Sequence, residues 1–169
     1  YPWSRIFSLN IDDAIEVAHL QCSDRNQSVL QPIHFKEDFV ESKSPDVLQL
    51  VHLHGSVRNP REPFVFSYRQ YAELTTKPNV WMALLSQFLA TEPFVVVGTT
   101  LNEPDLEHYL SFRTPATSRS DWGPSILIDP KPDDGTARDC AQHQLRLLEC
   151  DLASFVNWLR AHFPNPPRA

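Results

Sequence analysis

Pro93-Phe94-Val95-Val96-Val97-Gly98 is the stretch that decides the fold: an apolar run with three consecutive β-branched residues, closed by a glycine. A strand with one wet face alternates apolar and polar residues, whereas one covered on both faces reads as a continuous apolar run. Residues 93–97 are therefore expected to form a central strand of a parallel sheet. Upstream, Trp81, Leu84, Leu85, Phe88 and Leu89 recur at three- and four-residue spacing, which predicts a helix over residues 79–90 with one buried stripe. Downstream, Asn102-Glu103-Pro104-Asp105 offers a cap and an early proline for a helix reaching about residue 112.

The same alternation extends in both directions. Residues 5–9 read as a short strand, and residues 12–20 have helical spacing through Ile15, Val17 and Ala18. Residues 21–46 are a polar excursion with a short strand near residues 33–35. A second clear strand covers residues 47–54, a short one residues 63–66, and a short helix residues 68–74. Residues 113–124, rich in Ser, Thr, Arg and Pro, read as a loop. Residues 125–128 form a strand stopped by Asp129-Pro130-Lys131-Pro132, and residues 144–149 another. Leu152, Phe155, Val156, Leu159 and Phe163 line one face of a terminal helix that Pro164 ends. The fold class is α/β: one domain over residues 1–163, with a mainly parallel sheet between helices, and a tail at residues 164–169.

Composition bounds the function. A chain of 169 residues, 41% hydrophobic and 21% charged, can bury a core of its own. Its net charge of −6 and pI of 5.6 give no long-range pull on phosphate backbones, and Arg58, Arg61 and Arg69 are scattered, so direct nucleic-acid binding is not expected. No run approaches the roughly 20 apolar residues of a membrane span, and nothing resembles a signal peptide. Cys22, Cys140 and Cys150 are too few and too unevenly spaced for a disulfide framework, and none sits in a C-x-x-C pair. A reducing cytoplasm is the expected compartment. The start at Tyr1-Pro2-Trp3, without a methionine and close before a strand, reads as a portion of a longer protein.

The chemistry sits at strand ends, where open α/β sheets place their ligands. Ser8-Leu9-Asn10-Ile11-Asp12-Asp13 follows the first strand, and His52-Leu53-His54-Gly55-Ser56 closes the second. An amide such as Asn10 both donates to and accepts from a hydroxyl or water. His54 suits a general base, since imidazole as a side-chain type can take up and release a proton near neutral pH. Local explanations compete with these roles. Asn10, Asp12 and Asp13 precede a helix and suit capping, Gly98 suits a turn, and Asp129 before a proline suits turn initiation. His52 and His54 alternate along a strand and face one side, but two histidines alone do not make a metal site, and His52 is given a structural role. Trp3, Trp81, Trp122 and Trp158 are read as core or loop anchors.

Four blocks taken in order change the balance: Asn10-Ile11-Asp12, His54-Gly55-Ser56, Gly98-Thr99-Thr100-Leu101 and Ile128-Asp129, each after a strand. Together they resemble the sirtuin superfamily of NAD-consuming, Rossmann-like domains, and Glu149-Cys150-Asp151 before an amphipathic helix matches how such domains end. The longer forms, residues 10–16 and 98–106, look most like the NAD-hydrolysing domains of bacterial antiphage defence proteins. The resemblance implies Asn10 and His54 as the catalytic pair and Asp12 in the nicotinamide pocket. It further implies Gly98, Thr99, Thr100 and Asp129 at the cofactor's phosphate and ribose oxygens, and the backbone around Asp151 and Leu152 near adenine. NAD is then a substrate. Zinc is not expected, because no cysteine lies between Cys22 and Cys140, where protein deacylases carry a module held by two cysteine pairs. The expected partners are NAD or ADP-ribose and the sensor or effector domains of a longer protein, with an oligomer compatible with the sequence.

Three functions follow from the resemblance: an NAD glycohydrolase, a non-catalytic nucleotide-binding or assembly module, and an NAD-dependent deacylase. The first is the leading expectation. The glycine-rich loop that cradles pyrophosphate in such domains has no counterpart here, since no glycine precedes Gly55. That segment is expected to lie outside this chain, and a fragment lacking it to bind NAD weakly.

Overall fold

A computed structural model describes residues 3–99, 101, 104–111, 113 and 124–163. They contain six helices and six strands, and the strands form two three-stranded parallel sheets. The chain divides into two compact units, one running to Ala83 and the other beginning at Leu84. Among the described residues the architecture is α/β and Rossmann-like, as the alternation predicts.

In the first unit, β1 (Arg5–Ser8) and β2 (Val29–His34) flank β3 (Val47–His52). The register pairs Ser8 and His34 with the same residue, His52, so three strands end level. β3 is the covered strand: Gln49, Leu50 and Val51 are fully buried, which suits its place between two neighbours. Gln49 is satisfied there by Arg5, whose Nε donates to its Oε1 at 2.9 Å, and by donating to the Val40 carbonyl at 2.7 Å. β2 begins four residues earlier than the sequence suggests. Its Pro32 and polar Gln31 disguise it, and Pro32 is tolerated because β2 is an edge strand.

α1 (Ala14–Gln21) follows β1. α2 (Tyr68–Thr76) opens with a reciprocal cap: the Gln70 N–H donates to Ser67 Oγ at 3.3 Å, and the Ser67 N–H to Gln70 Oε1 at 2.9 Å. α3 (Val80–Thr91) starts on Asn79, whose Oδ1 accepts from the N–H groups of Trp81 and Met82. Trp81 is wholly buried and donates its indole N–H to the Glu37 carbonyl at 2.8 Å. Residues 63–66 form no strand. Pro63 has no N–H to give, and a single bond, Val65 N–H to His54 O at 3.0 Å, ties this stretch to the loop after β3.

In the second unit the order is β4 (Val95–Val97), β5 (Ser125–Asp129), β6 (Leu145–Glu149). The expectation of a central strand at residues 93–97 is corrected. β4 is short, pairs with β5 alone among the described residues, and leaves Val97 44% exposed. Composition marks a strand as apolar, but only its neighbours make it central, and here β5 holds that place with Ser125 and Leu127 fully buried.

α4 (Pro104–Leu110) matches the expected helix; its cap candidate Asn102 and most of the 113–124 loop lie outside the described residues. α5 (Asp134–Gln142) has no counterpart in the sequence reading. It buries only Thr136 and Cys140, and it forms on the Asp133 cap, which accepts from the Thr136 N–H at 2.7 Å. α6 (Leu152–His162) lies where its apolar stripe predicts, but of that stripe only Phe155 is buried, while Leu152 and Phe163 stay about half exposed.

Candidate active site

The level strand ends of the first unit put the Asn10 and His54 loops side by side. Backbone bonds then lock them: the Leu53 N–H donates to Ser8 O at 2.9 Å, and the Val57 N–H to Ile11 O at 2.8 Å. Arg58 Nη2 meets Asp13 Oδ2 at 2.9 Å across the same two loops, a half-exposed pair that adds little energy but fits the register.

Asn10 is exposed, and its backbone is held from beneath. Its N–H donates to Ser8 Oγ and its carbonyl accepts from the Ser8 hydroxyl, both at 3.2 Å. The Asn10 side chain makes no hydrogen bond among the described residues, so the amide is available to a ligand. Asp12 is exposed and accepts from the Ala14 N–H at 3.0 Å, the capping role that competes with a nicotinamide contact. Asp13 stands at the cap position without a capping bond and turns to Arg58 instead.

His54 lies past the end of β3, in the turn that follows it, so His52 and His54 do not share a strand face as their spacing suggests. The His54 ring packs edge-on against Tyr71 of α2, centroids 5.0 Å apart, and is 4% exposed. His52 turns instead to Glu16 of α1. Gly55 is obligatory: its φ is +93°, and a Cβ would stand 2.9 Å from both Phe64 Cδ1 and the Pro63 carbonyl oxygen.

His34 is a site residue the sequence reading missed. It is buried at the end of β2 and accepts from the Lys36 N–H at Nδ1, which leaves Nε2–H to donate to Pro63 O at 3.3 Å. Burial is the main cause that lowers its pKa below the usual 6.5, with the Pro63 hydrogen bond opposing. His34 thus braces the carbonyl against which Gly55 packs. Its only sequence signal is a histidine ending a strand in a segment that reads as a polar excursion.

The second unit aligns the other implied residues at the carboxyl ends of its strands. The register sets Val97 beside Ile128 and Asp129 beside Glu149, so Gly98 and Asp151 lie just past β4 and β6 while Asp129 ends β5 between them. Gly98 has φ +76° with open space where a Cβ would sit, and Leu101, three residues on, is also left-handed at φ +67°. Thr99 Oγ1 accepts from the Leu101 N–H at 3.2 Å; Thr100 lies outside the described residues. Asp129 is 8% exposed, and its Oδ1 accepts from the Lys131 N–H at 2.8 Å. Asp151 caps α6: its two carboxylate oxygens accept from the Ser154 N–H at 2.7 Å and the Ser154 hydroxyl at 3.0 Å. Those bonds hold its carboxyl below the usual range. This is a local capping role.

Among the described residues no three His, Cys, Asp or Glu side chains gather as a metal-holding group, and no helix is long and apolar enough to cross a membrane. No curated protein matches the chain. The family model described as the SIR2-like domain matches residues 4–149, from the first strand through the last, and the chain therefore belongs to the SIR2-like family, whose domains bind NAD.

Proposed function

We propose that the chain is the glycosidic-bond-cleaving portion of an NAD glycohydrolase, releasing nicotinamide and ADP-ribose. The observation that carries this is the exposed amide of Asn10, unbonded among the described residues, on a loop tied through Val57 to the loop that bears His54. The bond between nicotinamide and C1′ of the ribose breaks as positive charge develops on the sugar, and nicotinamide departs as a neutral ring. Water adds to C1′ and gives up a proton. Asn10 holds water and a ribose hydroxyl, and His54 takes the proton. The forms of residues 10–16 and 98–106 support a place in bacterial antiphage defence, where hydrolysis would deplete NAD.

Asn10→Ala and His54→Ala are each expected to abolish nicotinamide release from NAD, followed by chromatography. Full activity in both variants would sink the assignment. A second reading, a module that binds nucleotide without turnover, is favoured by the burial of His54 against Tyr71. Saturable binding of NAD or ADP-ribose, with the NAD pool unaltered after long incubation, would establish it in place of the first.

A further inference from the structure

His52 ends β3 and is 2% exposed, yet both of its ring nitrogens meet oxygens. Nε2 lies 3.0 Å from Glu16 Oε1, and Nδ1 lies 3.4 Å from the carbonyl oxygen of Asn10. A carbonyl only accepts, so the Nδ1 contact is a hydrogen bond in the forms of the ring that carry a hydrogen there, and Glu16 at Nε2 holds the ring in the orientation that brings Nδ1 to the Asn10 carbonyl.

Glu16 is 4% exposed, and its second oxygen, Oε2, is buried without a partner among the described residues. Such a pair is a poor way to stabilise a core. Apolar residues of similar volume are often as good or better, and an unmet carboxylate oxygen carries a desolvation cost. The cost is borne directly beneath the loop that presents Asn10. With Ser8 on one side, His52 on the other and Val57 bonded to Ile11, the backbone there is held while the Asn10 amide stays unbonded among the described residues.

We propose that His52, oriented by Glu16, is a positioning residue that sets the Asn10 backbone and so the place of the amide. This rests on the glycohydrolase reading for its effect on turnover, but not for its effect on the loop.

The test is the paired replacement Glu16→Met with His52→Leu, which removes both polar partners at similar volume. A purely structural pair predicts that stability and turnover recover together relative to His52→Leu alone. Positioning predicts that the thermal midpoint recovers while kcat stays about 10- to 100-fold down, with KM for NAD unchanged. It also predicts that the Ile11 amide resonance moves and the Val57 amide exchanges faster with solvent. Recovery of kcat, or Ile11 and Val57 signals matching the parent protein, would overturn the proposal. Should the paired variant not fold, the near-isosteric Glu16→Gln is expected to move the same two signals, and their constancy would overturn it equally. Absence of nicotinamide release in the parent protein would refute the glycohydrolase reading alone, because the Ile11 and Val57 signals still decide the positioning.

Discussion

Replacing Gly55 by alanine separates two costs that usually travel together. A non-glycine residue at φ +93° carries backbone strain of about 1–3 kcal/mol. The new Cβ also meets Phe64 Cδ1 and the Pro63 oxygen at 2.9 Å. Phe64 is a side chain and can rotate away, but the Pro63 carbonyl is backbone and is held by His34. Forcing a carbon into that gap adds about 1–3 kcal/mol of overpacking, for a total of about 2–6 kcal/mol. Gly98 is the internal control: its φ is +76°, nothing lies within 4 Å of its Cβ position, and its alanine variant carries strain alone. Hydrogen exchange followed segment by segment reads each cost where it falls. Amides of β3 in Gly55→Ala are expected to open at least about 30-fold more often, since each 1.4 kcal/mol is tenfold. If Gly55→Ala costs no more in β3 than Gly98→Ala costs in β5, the argument from the Pro63 contact is wrong.

His34 makes stability pH-dependent. Its folded pKa lies below 6.5, so the unfolded chain binds the proton first, and stability is expected to fall as pH drops through 6.5 toward the folded value and to level off below it. Urea midpoints across that range should show the slope in the parent protein and lose it in His34→Gln. Asp133 and Asp151 are held below the usual 3.8 by their caps, so the stability they add is lost only at lower pH. A thiol-reactive disulfide is expected to label exposed Cys22 in the native state and Cys140 only on unfolding, because burial both hides the Cys140 thiol and raises its pKa; peptide mapping distinguishes them. Trp81→Ala is expected to cost about 3–5 kcal/mol by denaturation, against about 0.2–1 for Arg58→Ala at the half-exposed pair with Asp13.

What the sequence made legible was periodic or chemical. The stripe through Trp81, Leu85 and Leu89 marked α3, and Gln70 lies within a stretch read as helix, with its capping partner Ser67 just before it. Failures came where a neighbour decides the outcome. Val95, Val96 and Val97 are as apolar as a central strand requires, but centrality belongs to the pairing, and β5 has it. α5 escaped because a helix that buries two residues leaves no stripe, and its signal is the Asp133 cap. At the site, Asn10 and His54 were legible as strand-end chemistry, while Glu16, His34 and Tyr71 were not. Each acts on a partner far away in sequence: Glu16 meets His52, 36 residues on, and His34 meets Pro63, 29 residues on.

The common endpoint of Ser8, His34 and His52 sets where this protein can change length. Side chains alternate along a strand, so deleting one residue within β3 would turn His52 away from Glu16 and bring Leu53 into its place, inverting the floor under Asn10 in a single step. The connection from β2 to β3 is a different case. Residues 43–45 are exposed, and insertions there leave the strand pairing from Val47 onward and the Val40 and Glu37 carbonyl bonds untouched. Length variation among natural or designed versions of this domain is thereby channelled into the β2 to β3 connection, while β3 itself is confined to a fixed count.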